Sequence, residues 1–209
     1  MTIQLYCFGE SGHSYKVALA LSLLSLDWTP VHVDFFKGGT RTPAFRKLNE
    51  MGECPVLVDG DRVTSQSGVI LFDLVEQTGK LGGETDDDRR EALRWVLWDN
   101  HKMSGQIGTL RFLMNFLPED KRDPAVINWL TGRTKAALTT LNAHLDGRDW
   151  MVGRGVTLAD LSCCSYLFYP ESFTFDRADW PHIDRWLNNI AALPGWKHPY
   201  DLMQRAFGS

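Results

Sequence analysis

Residues 41–71 read RTPAFRKLNEMGECPVLVDGDRVTSQSGVIL, and their order decides the fold. Thr42–Asn49 has a proline near its start, which suits the first turn of a short helix because that turn lacks an N–H partner anyway. Pro55-Val56-Leu57-Val58 and Arg62-Val63-Thr64 flank Asp59-Gly60, the signature of a hairpin. Gln66-Ser67 then opens an apolar helix over 68–77. Upstream, residues 3–8 (IQLYCF) form a β-branched and aromatic strand ended by a glycine-containing turn. SYKVALALSLLSL, residues 14–26, has the length and composition of a buried helix capped by Ser11 or Ser14. Residues 29–36 (TPVHVDFF) make a second strand. The first 80 residues therefore spell βαβαββα, a mixed sheet packed by helices.

Downstream the texture changes. LGGETDDD, residues 81–88, is rich in glycine and acid and reads as a linker with aspartates leading a helix. From Arg89 helical periodicity replaces strand signals, with helices expected at 89–117, 124–145, 157–168 and 182–193. Thr157-Leu158-Ala159-Asp160 resembles a capping box. The expected organisation is an α/β domain over 1–80, a linker over 81–88 and an all-α domain over 89–209.

Composition narrows the function classes. The chain has 209 residues, 44% of them hydrophobic, and a formal charge of −4. That is enough apolar material for a real core, and the interspersed charges disfavour a nucleic-acid or anionic-membrane surface. No apolar run approaches the ~18 residues of a membrane span. The first residues lack a basic leader and an apolar segment, so a cytoplasmic location is expected. Cys7, Cys54, Cys163 and Cys164 form neither a CxxC motif nor a zinc-ligand spacing, so no metal is expected.

Two places carry chemistry. Pro55 stands directly before a strand; a cis bond there turns the chain and leaves the Cys54 main chain facing outward, able to capture an extended peptide. Gln66-Ser67 opens a helix, where a hydroxyl and unpaired N–H groups hold a carboxylate. Alone, the first is an ordinary strand start and the second an N-cap. Their order along the chain resembles the thioredoxin-like domain of the cytosolic glutathione S-transferase superfamily, of bacterial type. MTIQLYCFGESGHSYKVALAL resembles that family's opening strand and helix. The 41–71 segment resembles its F-x-x-x-N-P-x-G-x-V-P-x-L and E-S-x-A-I region. GRDWMVGRGVTLADLSCCSYL and WPHIDRWLNNIAALPGWKHP resemble its second domain.

The resemblance implies roles for individual residues. Cys54, before Pro55, pairs backbone to backbone with the cysteinyl unit of glutathione. Gln66 and Ser67 hold the γ-glutamyl end, and Lys37 and Glu53 lie toward the glycyl end. Ser11, in the turn after the first strand, donates a hydrogen bond to the thiolate; Tyr6 is the rival for that task, and His13 and Ser14 are neighbours able to assist. Gln66 departs from the commoner acid, Glu50 from a proline and Cys54 from a valine. The electrophile is expected against the long first helix of the second domain, where Asn100, Ser104, Ile107 and Arg111 share one face at spacings of three and four, with Tyr166 in the apolar wall. His101 is expected to be structural.

The implied activity is a detoxifying transferase that stabilises the glutathione thiolate for attack on a small hydrophobic electrophile, working as a homodimer. The alternatives are a glutathione-dependent disulfide reductase or peroxidase of the same fold, and a binding module without turnover.

Overall fold

A computed structural model describes residues 2–207 as two compact units: 2–80 together with 193–207, and 81–192. In the first, β1 (Ile3–Cys7), α1 (Gly12–Leu23), β2 (Trp28–His32), α2 (Pro43–Leu48), β3 (Val56–Asp59), β4 (Arg62–Ser65) and α3 (Ser67–Thr78) follow the expected βαβαββα order. The sheet order is β2-β1-β3-β4. β1 runs parallel to β2 and antiparallel to β3, and β3–β4 is the expected hairpin. Gly60, at φ +60°, supplies the left-handed position that the turn requires.

Local chemistry sets the element ends. The Ser11 hydroxyl, not that of Ser14, caps α1 by accepting the Ser14 N–H at 3.1 Å. Thr42 caps α2 with Pro43 behind it. The helix α1 buries Tyr15, Val17, Leu19 and Leu21 completely and packs against α3. The strand expected over 29–36 stops at His32, and a tight turn over Phe35–Lys37 follows.

The second unit is helical: α4 (Asp86–Asp99), α5 (Gly105–Arg111), α6 (Pro124–His144), α7 (Leu158–Cys164) and α8 (Pro181–Ala191). The helix α4 begins three residues before Arg89, because Thr85 and Asp88 cap each other reciprocally. Asp160, fully buried, accepts from the Thr157 N–H and hydroxyl, the Met151 N–H and the Trp186 indole at 2.7–2.9 Å. Burial raises its pKa, and those four donors pull against that rise. Ile183, Trp186, Leu187 and Ile190 form the buried stripe of α8.

Two features depart from the sequence reading. First, the expected 89–117 helix is α4 and α5 interrupted by π-helical turns at Asn100–Ser104 and Phe112–Phe116. Second, residues 193–209 were expected in the helical domain, yet the described part of that segment packs with the first unit. The Tyr15 hydroxyl donates to the Lys197 carbonyl at 3.0 Å and the Ser22 hydroxyl to the Gly195 carbonyl at 2.6 Å. The helix α9 (Pro199–Leu202) lies on α1. Among the described residues no helix is long and apolar enough to cross a membrane.

Candidate functional site

The register of the sheet gathers the N-terminal candidates. Tyr6 on β1 pairs with Val56 on β3, so the end of β1 lies beside the Cys54-Pro55 segment. The Cys54–Pro55 peptide bond is cis. Among the described residues, neither the N–H nor the C=O of Cys54 has a hydrogen-bond partner. Backbone groups of this kind are what strand-like capture of a peptide uses.

The starts of α1 and α3 meet at this point. His13 Nδ1 lies 3.4 Å from the Ser67 hydroxyl. Burial, with the charge of the fully buried Lys16 beside it, pushes the His13 pKa down to about 3. The imidazole is therefore neutral at physiological pH. Gln66 takes φ +68°, a conformation that costs a non-glycine residue about 1–3 kcal/mol. Its amide donates to Glu53 Oε2 at 3.0 Å. Glu53, Cys54, Gln66 and Ser67 thus border one small region. Neither α1 nor α3 carries an acid in its first turn, so both positive helix ends stay available to an anion. By contrast, α4 opens with three aspartates.

Ser11 is 5% exposed. As the α1 cap its oxygen accepts from Ser14 N–H, and its own proton remains to be donated. The neighbouring Ser14 hydroxyl is fully buried and has no hydrogen-bond partner. Tyr6 is partly buried against the cluster of Val33, Phe45 and Val56, with Cys54 on the same cluster. Lys37 stands apart: its side chain is 85% exposed and its ammonium pairs with Asp34 at 3.0 Å. The turn that carries it is anchored by Phe35, whose ring stacks on Phe8 at 4.5 Å.

Both thiols of this region are unreactive. Burial pushes Cys7 up to about 12, and burial together with the nearby Cys7 does the same to Cys54. Since the thiolate is the nucleophile, neither side chain supplies one at neutral pH.

Most of the candidates on the long helix are buried. Ser104 is 2% exposed and its hydroxyl bonds the buried Asp99 carboxylate at 2.9 and 3.1 Å. Ile107 is wholly buried. Arg111, 1% exposed, donates to Glu171 at 2.6 Å and lies 4.1 Å from the centre of the Tyr169 ring. Tyr166 is buried with its hydroxyl against Gly108, where an added Cβ would come within 2.8 Å. These four belong to the interior of the helical unit; Asn100 is partly exposed. The π turn at 100–104 explains the difference. It inserts a residue into the helical repeat, which rotates every following side chain by about 100° from the face that 3.6-residue spacing assigns.

Glu10 escaped the sequence reading. It is 4% exposed in the turn before Ser11, with its carboxylate on the N–H groups of Ala206 and Phe207. Nothing local distinguishes it from an ordinary turn glutamate, because its partners lie almost two hundred positions away.

Residues 10–77 match the family described as Glutathione S-transferase, N-terminal domain, and residues 108–194 match Glutathione S-transferase, C-terminal domain. A crystal structure of a possible glutathione S-transferase from Rhodopseudomonas palustris is 32% identical, with TM-score 0.83, over 95% of this chain and 98% of that one. A glutathione transferase from Burkholderia graminis, solved with two glutathione molecules per subunit, is 26% identical with TM-score 0.83, over 93% of this chain and 85% of that one. Disulfide-bond oxidoreductase YfcG of Escherichia coli (strain K12) is 26% identical over 92% of this chain and 91% of its own length.

Proposed function

Given that the chain belongs to the glutathione S-transferase family, we propose that it binds glutathione and holds the thiol as a thiolate against the Ser11 hydroxyl, for attack on a small apolar electrophile. The observation that carries this reading is the Ser11 cap: its oxygen is occupied by the Ser14 N–H while its proton is free to be given to an anion. A thiol resembling free cysteine has a pKa of about 8.5 and is mostly protonated at neutral pH. A hydrogen bond to the anion and the α1 N-terminus both lower that value. With a chlorinated aromatic, the sulfur–carbon bond forms, the carbon–chlorine bond breaks and chloride leaves.

In this reading the Cys54 main chain pairs with the cysteinyl unit, and Gln66 and Ser67 receive the γ-glutamyl end at the start of α3. Glu53, expected at the glycyl end, is held by Gln66 nearer the γ-glutamyl end, and Lys37 borders the glycyl end. Tyr6 serves as packing, which its apolar surroundings support. Asn100 is the member of the former helix face that stays a candidate for electrophile contact.

Sulfur as the electrophile is the second reading, favoured by the relative named a disulfide-bond oxidoreductase. With Cys7 and Cys54 protonated, glutathione itself would supply the attacking thiolate there. A homodimer is part of the proposal: Val63 and Val69 in the first unit and Leu97 in the second are 45%, 51% and 62% exposed, apolar surface of the kind an interface covers. Sedimentation at micromolar concentration should give twice the chain mass.

The deciding experiment combines retention on immobilised glutathione with rates for Ser11→Ala and Tyr6→Phe on a chlorinated aromatic and on a disulfide. Retention, with a loss of about 10²-fold for Ser11→Ala and little for Tyr6→Phe, is expected. Full activity in Ser11→Ala would remove Ser11 from the chemistry. The faster of the two substrate types identifies the electrophile.

A further inference from the structure

The turn that leads into α1 is shielded from solvent along its whole length. Phe8, Gly9, Glu10, Ser11 and Gly12 are all buried, although connecting segments normally lie on the surface because their polar backbone needs water. What replaces water is the end of the same chain. The Gly9 N–H donates to the Gln204 carbonyl at 2.7 Å. The approach is so close that a Cβ on Gly9 would lie 2.8 Å from that oxygen. The Glu10 carboxylate accepts the Ala206 N–H at 3.0 and 3.1 Å and the Phe207 N–H at 3.4 Å. The Phe207 ring lies 4.5 Å from that of Phe36, which meets Phe8 and Phe35 edge-on at 5.9 and 5.4 Å. The strap over 204–207 is thus fastened to the residues just before Ser11 and, through Phe36, to the turn bearing Lys37.

We propose that Glu10 is a positioning residue for thiol activation, holding the 204–207 strap on the turn so that the Ser11 hydroxyl keeps its direction. The inference rests on the reading of Ser11 given above. Ser11 is set from one side by its cap to Ser14 and by its N–H on the Phe8 carbonyl at 3.2 Å. From the other side it is set by residues 9 and 10, whose path the strap determines. A hydrogen bond weakens steeply as its angle falls toward ~120°, and a misplacement of about 1 Å at a reacting centre can cost on the order of 10²-fold in rate. A charged acceptor shared by two successive backbone N–H groups is a firm grip. It also fixes what lies over the turn without presenting a side chain to the sulfur.

The test separates positioning from mere stabilisation. Native protein, Glu10→Gln, Glu10→Asp, a chain ending at Met203, and Ser11→Ala are compared by three measurements. These are the pH titration of thiolate ultraviolet absorbance in the glutathione complex, kcat/KM for a chlorinated aromatic from pH 6 to 9, and the Kd of S-methylglutathione, which has no thiol. For Glu10→Gln and the shortened chain, the thiol pKa should rise by about one unit, a tenfold loss of thiolate near neutrality. Their rates should fall about tenfold at pH 6.5 and return to within threefold of native at pH 9, where the thiol ionises unaided. S-methylglutathione should bind within twofold of native, and Glu10→Asp should recover part of the effect. A rate loss equal at every pH, accompanied by weaker S-methylglutathione binding, would make Glu10 only a fold stabiliser and overturn the proposal. An unchanged titration in Glu10→Gln overturns it as well, and that variant decides the matter if the shortened chain does not fold. If Ser11→Ala leaves the thiol pKa at its native value, the reading of Ser11 itself falls. If Ser11→Ala raises the pKa and Glu10→Gln does not, only the role of Glu10 fails.

Discussion

His13 Nδ1 and the Ser67 hydroxyl, 54 positions apart in the chain, lie 3.4 Å from each other and tie the first turn of α1 to the first turn of α3. The contact has a pH signature. The imidazole, near 6.5 when unfolded, is pushed down to about 3 by burial and by Lys16. Between those values the unfolded chain binds more protons than the folded one, so stability rises with pH across the window and is lost as pH falls through it. The maximum slope is about 1.4 kcal/mol per pH unit. Urea unfolding of native protein and His13→Asn at pH 7 and pH 4.5 should show the native chain losing about 2.5 kcal/mol more than the variant over that interval. Equal losses would mean that His13 stays solvated.

The replacement of an acid by Gln66 has a local reason in Glu53, whose carboxylate accepts from the Gln66 amide. An acid at 66 would face that carboxylate directly. Gln66→Glu alone should weaken glutathione binding about threefold through this repulsion, a small effect because both side chains are exposed. Adding Glu53→Gln should restore it. Calorimetric titration across this double-mutant cycle measures the coupling; additive losses would show that the pair does not interact.

Asp160→Ala removes the acceptor for four buried donors at once. The expected destabilisation is about 3–5 kcal/mol, that of breaking a buried charged network from one side. The Kd of glutathione in the surviving folded fraction should be unchanged. Denaturant midpoints with matched binding data check both halves.

Gly108→Ala should destabilise although alanine is the better helix former by about 1 kcal/mol. Its Cβ would come within 2.8 Å of the Tyr166 hydroxyl, and overpacking of that kind costs about 1–3 kcal/mol. The same change in a Tyr166→Phe background should cost clearly less, because the 2.8 Å hydroxyl clash is gone and only the ring carbon at 3.1 Å must shift. Thermal midpoints of the four proteins give the answer.

How far the sequence could be read depended on the range of the interactions. The Asp59-Gly60 hairpin, the Pro43 helix start and the Thr157 cap are written within a few residues of themselves, and each was legible. The Thr85 cap lies inside a segment that reads as linker, and the cis bond before Pro55 follows from the family resemblance and not from its neighbours. The interruption of the long helix was not legible, because a π turn leaves no mark in the spacing of Asn100, Ser104, Ile107 and Arg111. The 193–209 segment misled for another reason. Its partners Gly9, Glu10, Tyr15 and Ser22 lie at the opposite end of the chain, and a single sequence carries no signal for such pairing.

That pairing also sets an order of events. Gly9 cannot meet Gln204 until the ribosome has added more than a hundred residues beyond α3. At about 5–20 residues per second that delay is on the order of ten seconds. Throughout that interval the nascent sheet lacks the strap over its β1–α1 turn, and the helical unit of 81–192 can be completed first. The last unit to be finished is therefore the one whose synthesis began earliest.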